Sequence, residues 1–184
     1  MAETVSAPAA ALWLSKAKTE EEVRKLAKDY AAWAGPAARE LAASYGVEIK
    51  EGVLGGVSVF TLTPNNAALD AANKVVYYIH GGGYILGHGV SGIGEGVLMA
   101  ALGGLKVVCV DYRMAPEDPY PAAIDDAFAA YKALIEKVPA DKVVVFGTST
   151  GGAMTLILGI QAARANVAMP AALIAGTPWA EMDK

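Results

Sequence analysis

The 184-residue chain is 54% hydrophobic and 18% charged, with a formal net charge of −4. This composition excludes a disordered chain and fits one domain, or part of a larger one, with a sizeable buried core. The acidic balance offers no electrostatic basis for binding nucleic acid or an anionic membrane, and the single Cys109 excludes an internal disulfide framework and a cysteine-only metal site.

From the start of the chain, Glu3 comes early, Pro8 interrupts and no basic residue precedes Lys16, so no export signal is read and a cytoplasmic protein is expected. Residues 11–45 read as helical. Leu12, Trp13, Leu26, Tyr30, Trp33 and Leu41 are interspersed with Lys and Glu, Thr19-Glu20-Glu21-Glu22 resembles a capping box, and Gly35-Pro36 predicts a split into at least two helices. Val47 to Ile49 and Gly56 to Leu62 alternate as half-buried strands do, and Thr63-Pro64-Asn65-Asn66 reads as a turn. The pattern then changes to buried strands alternating with helices. Strands are expected at Val75 to Ile79, Lys106 to Val110, Lys142 to Phe146 and Ala171 to Ala175. Helices are expected at Gly92 to Leu102, Pro121 to Val138 and Thr150 to Arg164. Such alternation predicts an α/β fold, a mostly parallel sheet with helices on both faces. The division expected is a helical segment over residues 1–45 and an α/β portion over residues 46–184. Val143 to Ala163 is uncharged and long enough to span a bilayer, but its β-branched start and the breaks at Gly147 and Gly151-Gly152 read instead as strand, turn and buried helix. Cys109 lies in an apolar run and reads as an inert core thiol.

Gly147-Thr148-Ser149-Thr150-Gly151 matches Gly-x-Ser-x-Gly. The five-residue pattern is weak alone, but here it joins a β-branched run to a helix, the context a nucleophile elbow requires. A turn that tight needs small residues two before and two after the serine, and Gly147 and Gly151 supply them. Helix N–H groups and the helix dipole then favour negative charge developing near Ser149. The plainer alternative is a glycine-rich turn with a spectator serine. His80-Gly81-Gly82-Gly83-Tyr84 follows another buried strand, and its glycines let backbone N–H groups approach a ligand oxygen. A phosphate-binding loop is the weaker alternative, because neither Gly-x-Gly-x-x-Gly opening a helix nor Gly-Lys-Ser/Thr is present.

Three stretches in order carry a resemblance: His80 to Tyr84, Asp111-Tyr112-Arg113-Met114-Ala115-Pro116-Glu117 followed by Pro119-Tyr120-Pro121-Ala122, and Gly147 to Gly152. From about Val75 onward the chain resembles the hormone-sensitive-lipase-like α/β-hydrolases, on a Gly-Thr-Ser-x-Gly branch in which Thr150 replaces the usual Ala. The resemblance implies a serine carboxylesterase with Ser149 as nucleophile and the N–H groups of Gly82, Gly83 and Thr150 as oxyanion donors. His80, Gly81, Gly147 and Gly151 would support them, with His80 orienting its loop rather than acting as base. It also implies that Arg113 and Glu117 tie down their loop as a charge-assisted pair, and that the N-terminal helices form a cap with Trp13, Trp33 and Tyr84 as pocket candidates.

A Ser–His–acid mechanism in this fold runs Ser, then acid, then His along the chain. After Ser149 there is no histidine, and the only acids are Glu181 and Asp183. His88 reads as part of a loop or helix start, and Asp125 and Asp126 as solvated or capping residues. The expectation is therefore that a second polypeptide supplies the last strands, the acid and the histidine, since the strand at Ala171 to Ala175 would otherwise form a bare apolar edge. A small ester substrate is implied, no cofactor or metal is, and a homo-oligomer stays open. The alternative is a catalytically incomplete hydrolase-like binding module; amide or acyl-transfer chemistry in the same site is a third reading.

Overall fold

The computed structural model describes residues 17–67 and 74–179. The strands are β1 Val47–Leu54, β2 Val57–Pro64, β3 Val75–Ile79, β4 Lys106–Val110, β5 Val143–Thr148 and β6 Ala172–Gly176. The helices are α1 Glu20–Ser44, α2 Gly94–Gly103, α3 Ala122–Ile135 and α4 Thr150–Arg164. The strands form one six-stranded sheet in the order β1-β2-β4-β3-β5-β6. β4, β3, β5 and β6 run parallel, while β2 pairs antiparallel with both β1 and β4. The sheet is thus mixed at its β1-β2 end and parallel where the motifs lie.

The pleat explains why the central strands read as continuous apolar runs. Successive side chains point to opposite faces, and both faces are covered. Val75, Tyr77 and Ile79 join Val143 and Val145 in a cluster with Ala123, Ala127, Tyr131, Met154 and Leu158 of α3 and α4. Val76 and Tyr78 join Val107 and Cys109 in a second cluster with Ala38, Ala42, Val97 and Ala100 of α1 and α2. The Cys109 thiol is buried there, and burial pushes its pKa up.

Helix α1 departs from expectation. Its capping box forms: Glu22 N–H donates to Thr19 Oγ1 at 3.2 Å, and Thr19 N–H donates to Glu22 Oε2 at 3.0 Å. It does not split at Gly35-Pro36, however; Pro36 lies inside one continuous helix. Proline removes one intrahelical donor, but Pro36 sits on the exposed side, while Leu26, Ala34, Ala38 and Ala42 bury a continuous stripe. Packing of that stripe outweighs the local propensity. The uncharged stretch from Val143 resolves into β5, a turn and α4, and among the described residues no helix is long and apolar enough to cross a membrane.

Candidate active site

β5 ends at Thr148, α4 begins at Thr150, and Ser149 alone makes the turn, with φ 55° and ψ −120°. Positive φ for a non-glycine residue costs on the order of 1–3 kcal/mol and persists only where the surroundings impose it. Here they do. Ser149 N–H donates to Gly176 O at 2.9 Å, and Ser149 O accepts from Ala153 N–H and Trp179 N–H, each at 3.1 Å. The flanking glycines are required by contact: a Cβ on Gly147 would lie 2.2 Å from Gly151 O, and one on Gly151 would lie 2.0 Å from Ile79 O. Ser149 Oγ makes no cap hydrogen bond to its own helix.

The glycine turn after β3 lies directly against this serine. A Cβ on Gly81 would sit 3.1 Å from Ser149 Cβ and 2.8 Å from Thr148 O. Gly82 and Gly83 have φ of 123° and 67°, and a Cβ on Gly82 would meet Leu86 O at 2.2 Å. Among the described residues, the N–H groups of Gly82, Gly83 and Thr150 donate to no backbone carbonyl.

His80 is built into this turn. Its Nδ1 lies 2.7 Å from Gly81 O, an acceptor only, so the neutral ring carries its proton on Nδ1. The ring is stacked on Tyr112 at 4.2 Å, and Tyr112 hydroxyl donates to His80 O at 2.8 Å. Burial holds the His80 pKa below the ordinary histidine range, and its Nε2 is buried without a protein partner among the described residues. The next residues of the same stretch continue the bracing. Asp111 Oδ1 accepts from Gly89 N–H at 2.8 Å and lies 3.2 Å from His88 Nδ1. His88 itself is exposed, at the start of the 3-10 turn Gly89–Gly92.

Two expectations for this bracing are corrected. Arg113 does not pair with Glu117. Its Nη2 and Nε reach the Asp126 carboxylate at 2.8 and 3.0 Å, and its backbone N–H adds a third bond at 2.9 Å. Glu117 instead accepts from Arg24 Nε at 2.7 Å, which ties the loop to α1. Asp126 is accordingly buried rather than solvated or capping, whereas Asp125 is exposed in the first turn of α3. The expected pair joined two residues of one loop, whereas the folded loop brings Arg113 to a carboxylate from another element, α3.

A cavity of about 500 Å³ opens over the serine, lined by Ser149, Thr148, Gly81, Gly82, Gly83 and His80 on one side and by Tyr30, Tyr78, Glu95 and Trp179 on another. It lies at the carboxyl ends of the parallel strands, where ligands bind in open α/β sheets. A larger cavity, about 780 Å³, lies at the opposite ends of β3 and β4, beside Lys74, Val75 and Lys106, away from these motifs. Tyr84 and Trp33 are not among the cavity-lining residues. Tyr84 packs against the α3–α4 core cluster, and Trp33 meets Tyr30 edge to face at 6.0 Å. Trp13, Glu181 and Asp183 lie outside the described residues. Tyr30, Tyr78, Glu95 and Trp179 went unnoticed in the sequence as site residues. Helix α1 brings Tyr30 over the sheet and the strand after α4 brings Trp179 back to Ser149, and neither approach leaves a local pattern.

Residues 76–184 match the profile of a family described as alpha/beta hydrolase fold. An acetyl-hydrolase of Streptomyces hygroscopicus is 39% identical over 114 residues, covering 59% of this chain and 37% of that protein. An ethyl acetate hydrolase of Pseudomonas putida is 36% identical over 105 residues, covering 54% of this chain and 33% of its own. Among solved structures, an esterase named E25 superposes with a TM-score of 0.86 at 34% identity, covering 91% of this chain and 51% of that one. A hormone-sensitive-lipase homologue, EstE7, from a metagenome library superposes with a TM-score of 0.64 at 30% identity, covering 85% and 56%. The chain therefore spans about half the length of these structures and less of the curated relatives.

Proposed function

The chain belongs to the α/β-hydrolase fold family, on the branch similar to hormone-sensitive lipase, and on that premise we propose that it is the nucleophile-bearing part of a serine carboxylesterase acting on small, short-chain acyl esters. The observation that carries the proposal is Ser149, held at positive φ between β5 and α4 with the Gly81–Gly83 turn against it in one cavity.

In this reading Ser149 Oγ attacks the ester carbonyl carbon. The carbonyl oxygen takes up the charge and accepts hydrogen bonds from the N–H groups of Gly82, Gly83 and Thr150. Collapse of the tetrahedral intermediate expels the alcohol and leaves an acyl-enzyme, which water then hydrolyses. Both residues flanking the turn, Gly147 and Gly151, serve this geometry, and His80 with Tyr112 keeps the glycine turn in place. The proton shuttle requires a histidine that is not His80: with Nδ1 donating to Gly81 O its basic nitrogen is Nε2, which is buried and bonded to no described residue, Ser149 included. We assign the histidine and its acid to the C-terminal part of the fold, in keeping with relatives of which this chain covers about half the length or less.

Phosphonate labelling tests the reading. A serine-reactive fluorophosphonate should add once per chain, at Ser149, in the assembled protein, and Ser149→Ala should abolish both labelling and ester turnover. Intact-mass spectrometry reads the adduct and also reveals any accompanying polypeptide. Absence of the adduct in the assembled protein would favour the alternative, a binding module that keeps the pocket without the chemistry.

A further inference from the structure

Resting on the esterase reading, we propose that Glu95 makes the cavity selective for esters bearing a cationic, ammonium-type group over esters bearing a carboxylate. Glu95 opens α2 and lines the cavity beside the nucleophile. Its Oε2 accepts from Tyr78 hydroxyl at 2.9 Å and from Thr148 Oγ1 at 2.8 Å. These two hydroxyl donors fix the carboxylate next to Thr148, the residue that precedes Ser149.

Among the described residues, no lysine or arginine lines this cavity. The histidine in the lining, His80, is buried, and burial lowers its pKa and disfavours the cation. Of the basic residues ahead of Tyr30 on α1, Arg24 pairs with Glu20 and Glu117 and Lys25 with Asp29, while Lys28 is exposed and does not line the cavity. Among the described lining residues, Glu95 is the one carboxylate. The same cavity is lined by three aromatic side chains, Tyr30, Tyr78 and Trp179. A carboxylate in a cavity with aromatic residues, Tyr30 and the half-exposed Trp179 among them, and no described cation forms surroundings in which ammonium groups are recognised. The same field repels a carboxylate carried on the acyl or alcohol side of a substrate.

The test uses three phosphonate esters of matched shape, whose alkyl chains end in trimethylammonium, tert-butyl or carboxylate. Second-order rate constants for modification of Ser149 are measured on the assembled protein at low salt, each divided by the probe's rate with a small oxime. The ammonium probe should react about tenfold faster than the tert-butyl probe, and the carboxylate probe about tenfold slower, as expected for unit charges separated by several ångströms near a protein surface. Added salt should narrow the spread, and Glu95→Gln should collapse it to within about threefold. Equal rates for the three probes on the native protein would overturn the proposal while leaving the esterase reading intact. So would a Glu95→Gln variant that slows all three by one factor, since that is the signature of a role exerted only through Thr148. If no probe modifies Ser149, the esterase reading fails and the selectivity proposal falls with it.

Discussion

At Gly151 the demand on a single residue is steric and local. A methyl group there would overlap the backbone carbonyl of Ile79 at 2.0 Å and approach that of His80 at 2.7 Å, and backbone atoms of a central strand cannot swing aside as a side chain can. Gly151→Ala should therefore cost about 3 kcal/mol or more, in the range of severe overpacking. Gly147→Ala, which meets Gly151 O at 2.2 Å, should behave alike. Gly35 provides the control. It lies in α1, and a Cβ there meets nothing within 4 Å. Gly35→Ala should gain up to about 1 kcal/mol by helix propensity. Urea unfolding midpoints for the three variants check the contrast, and a silent Gly151→Ala would mean that the serine turn is not closed as described.

Helix α1 raises the same question for a whole element. Pro36 sits in its interior and on its exposed side, so it contributes no core contact and withholds one hydrogen bond. If the helix is continuous, Pro36→Ala should stabilise the protein by roughly 1–3 kcal/mol, and a thermal melt followed by circular dichroism reads this directly. If the chain broke at Gly35-Pro36, the change would be close to neutral. The sequence misleads at this point because propensity is local, whereas the buried stripe of Leu26, Ala34, Ala38 and Ala42 is a tertiary fact. Where burial on both faces decides, reading is easier: Val75–Ile79, Lys106–Val110 and Thr150–Arg164 have the bounds their apolar runs and turn residues predict. The two glycine motifs were legible for a related reason, since backbone crowding admits few residue types. Arg113 with Asp126, and Tyr30 with Glu95 and Trp179 in one cavity, were not. These associations join residues from separate elements, and no spacing along the chain encodes them.

For the whole molecule, the asymmetry of the sheet matters most. Its β1-β2 end is a hairpin rich in exposed charge, with Glu48, Lys50 and Glu51 on the outer strand. Its other end is β6, which pairs only with β5 among the described strands. In that register Ile174 stands beside Phe146, on the face that α1 and α2 cover elsewhere, yet Ile174 is 49% exposed. Leu156 and Ile160 of α4 are exposed as well, as are Met169 and Trp179. An unpaired strand edge with apolar side chains templates association, and a charge on such an edge suppresses it. The 184-residue chain on its own should therefore associate reversibly as its concentration rises. Ile174→Lys should shift that association to at least several-fold higher concentration while changing the unfolding midpoint little, because the side chain is half in solvent already. Sedimentation velocity over a concentration series measures the first effect and urea titration the second. If Ile174→Lys leaves the association constant where it was, the β6 edge is not the contact. If it abolishes association and also prevents reconstitution of ester hydrolysis with a C-terminal polypeptide, then the surface that invites self-association is the one on which the completed sheet is built.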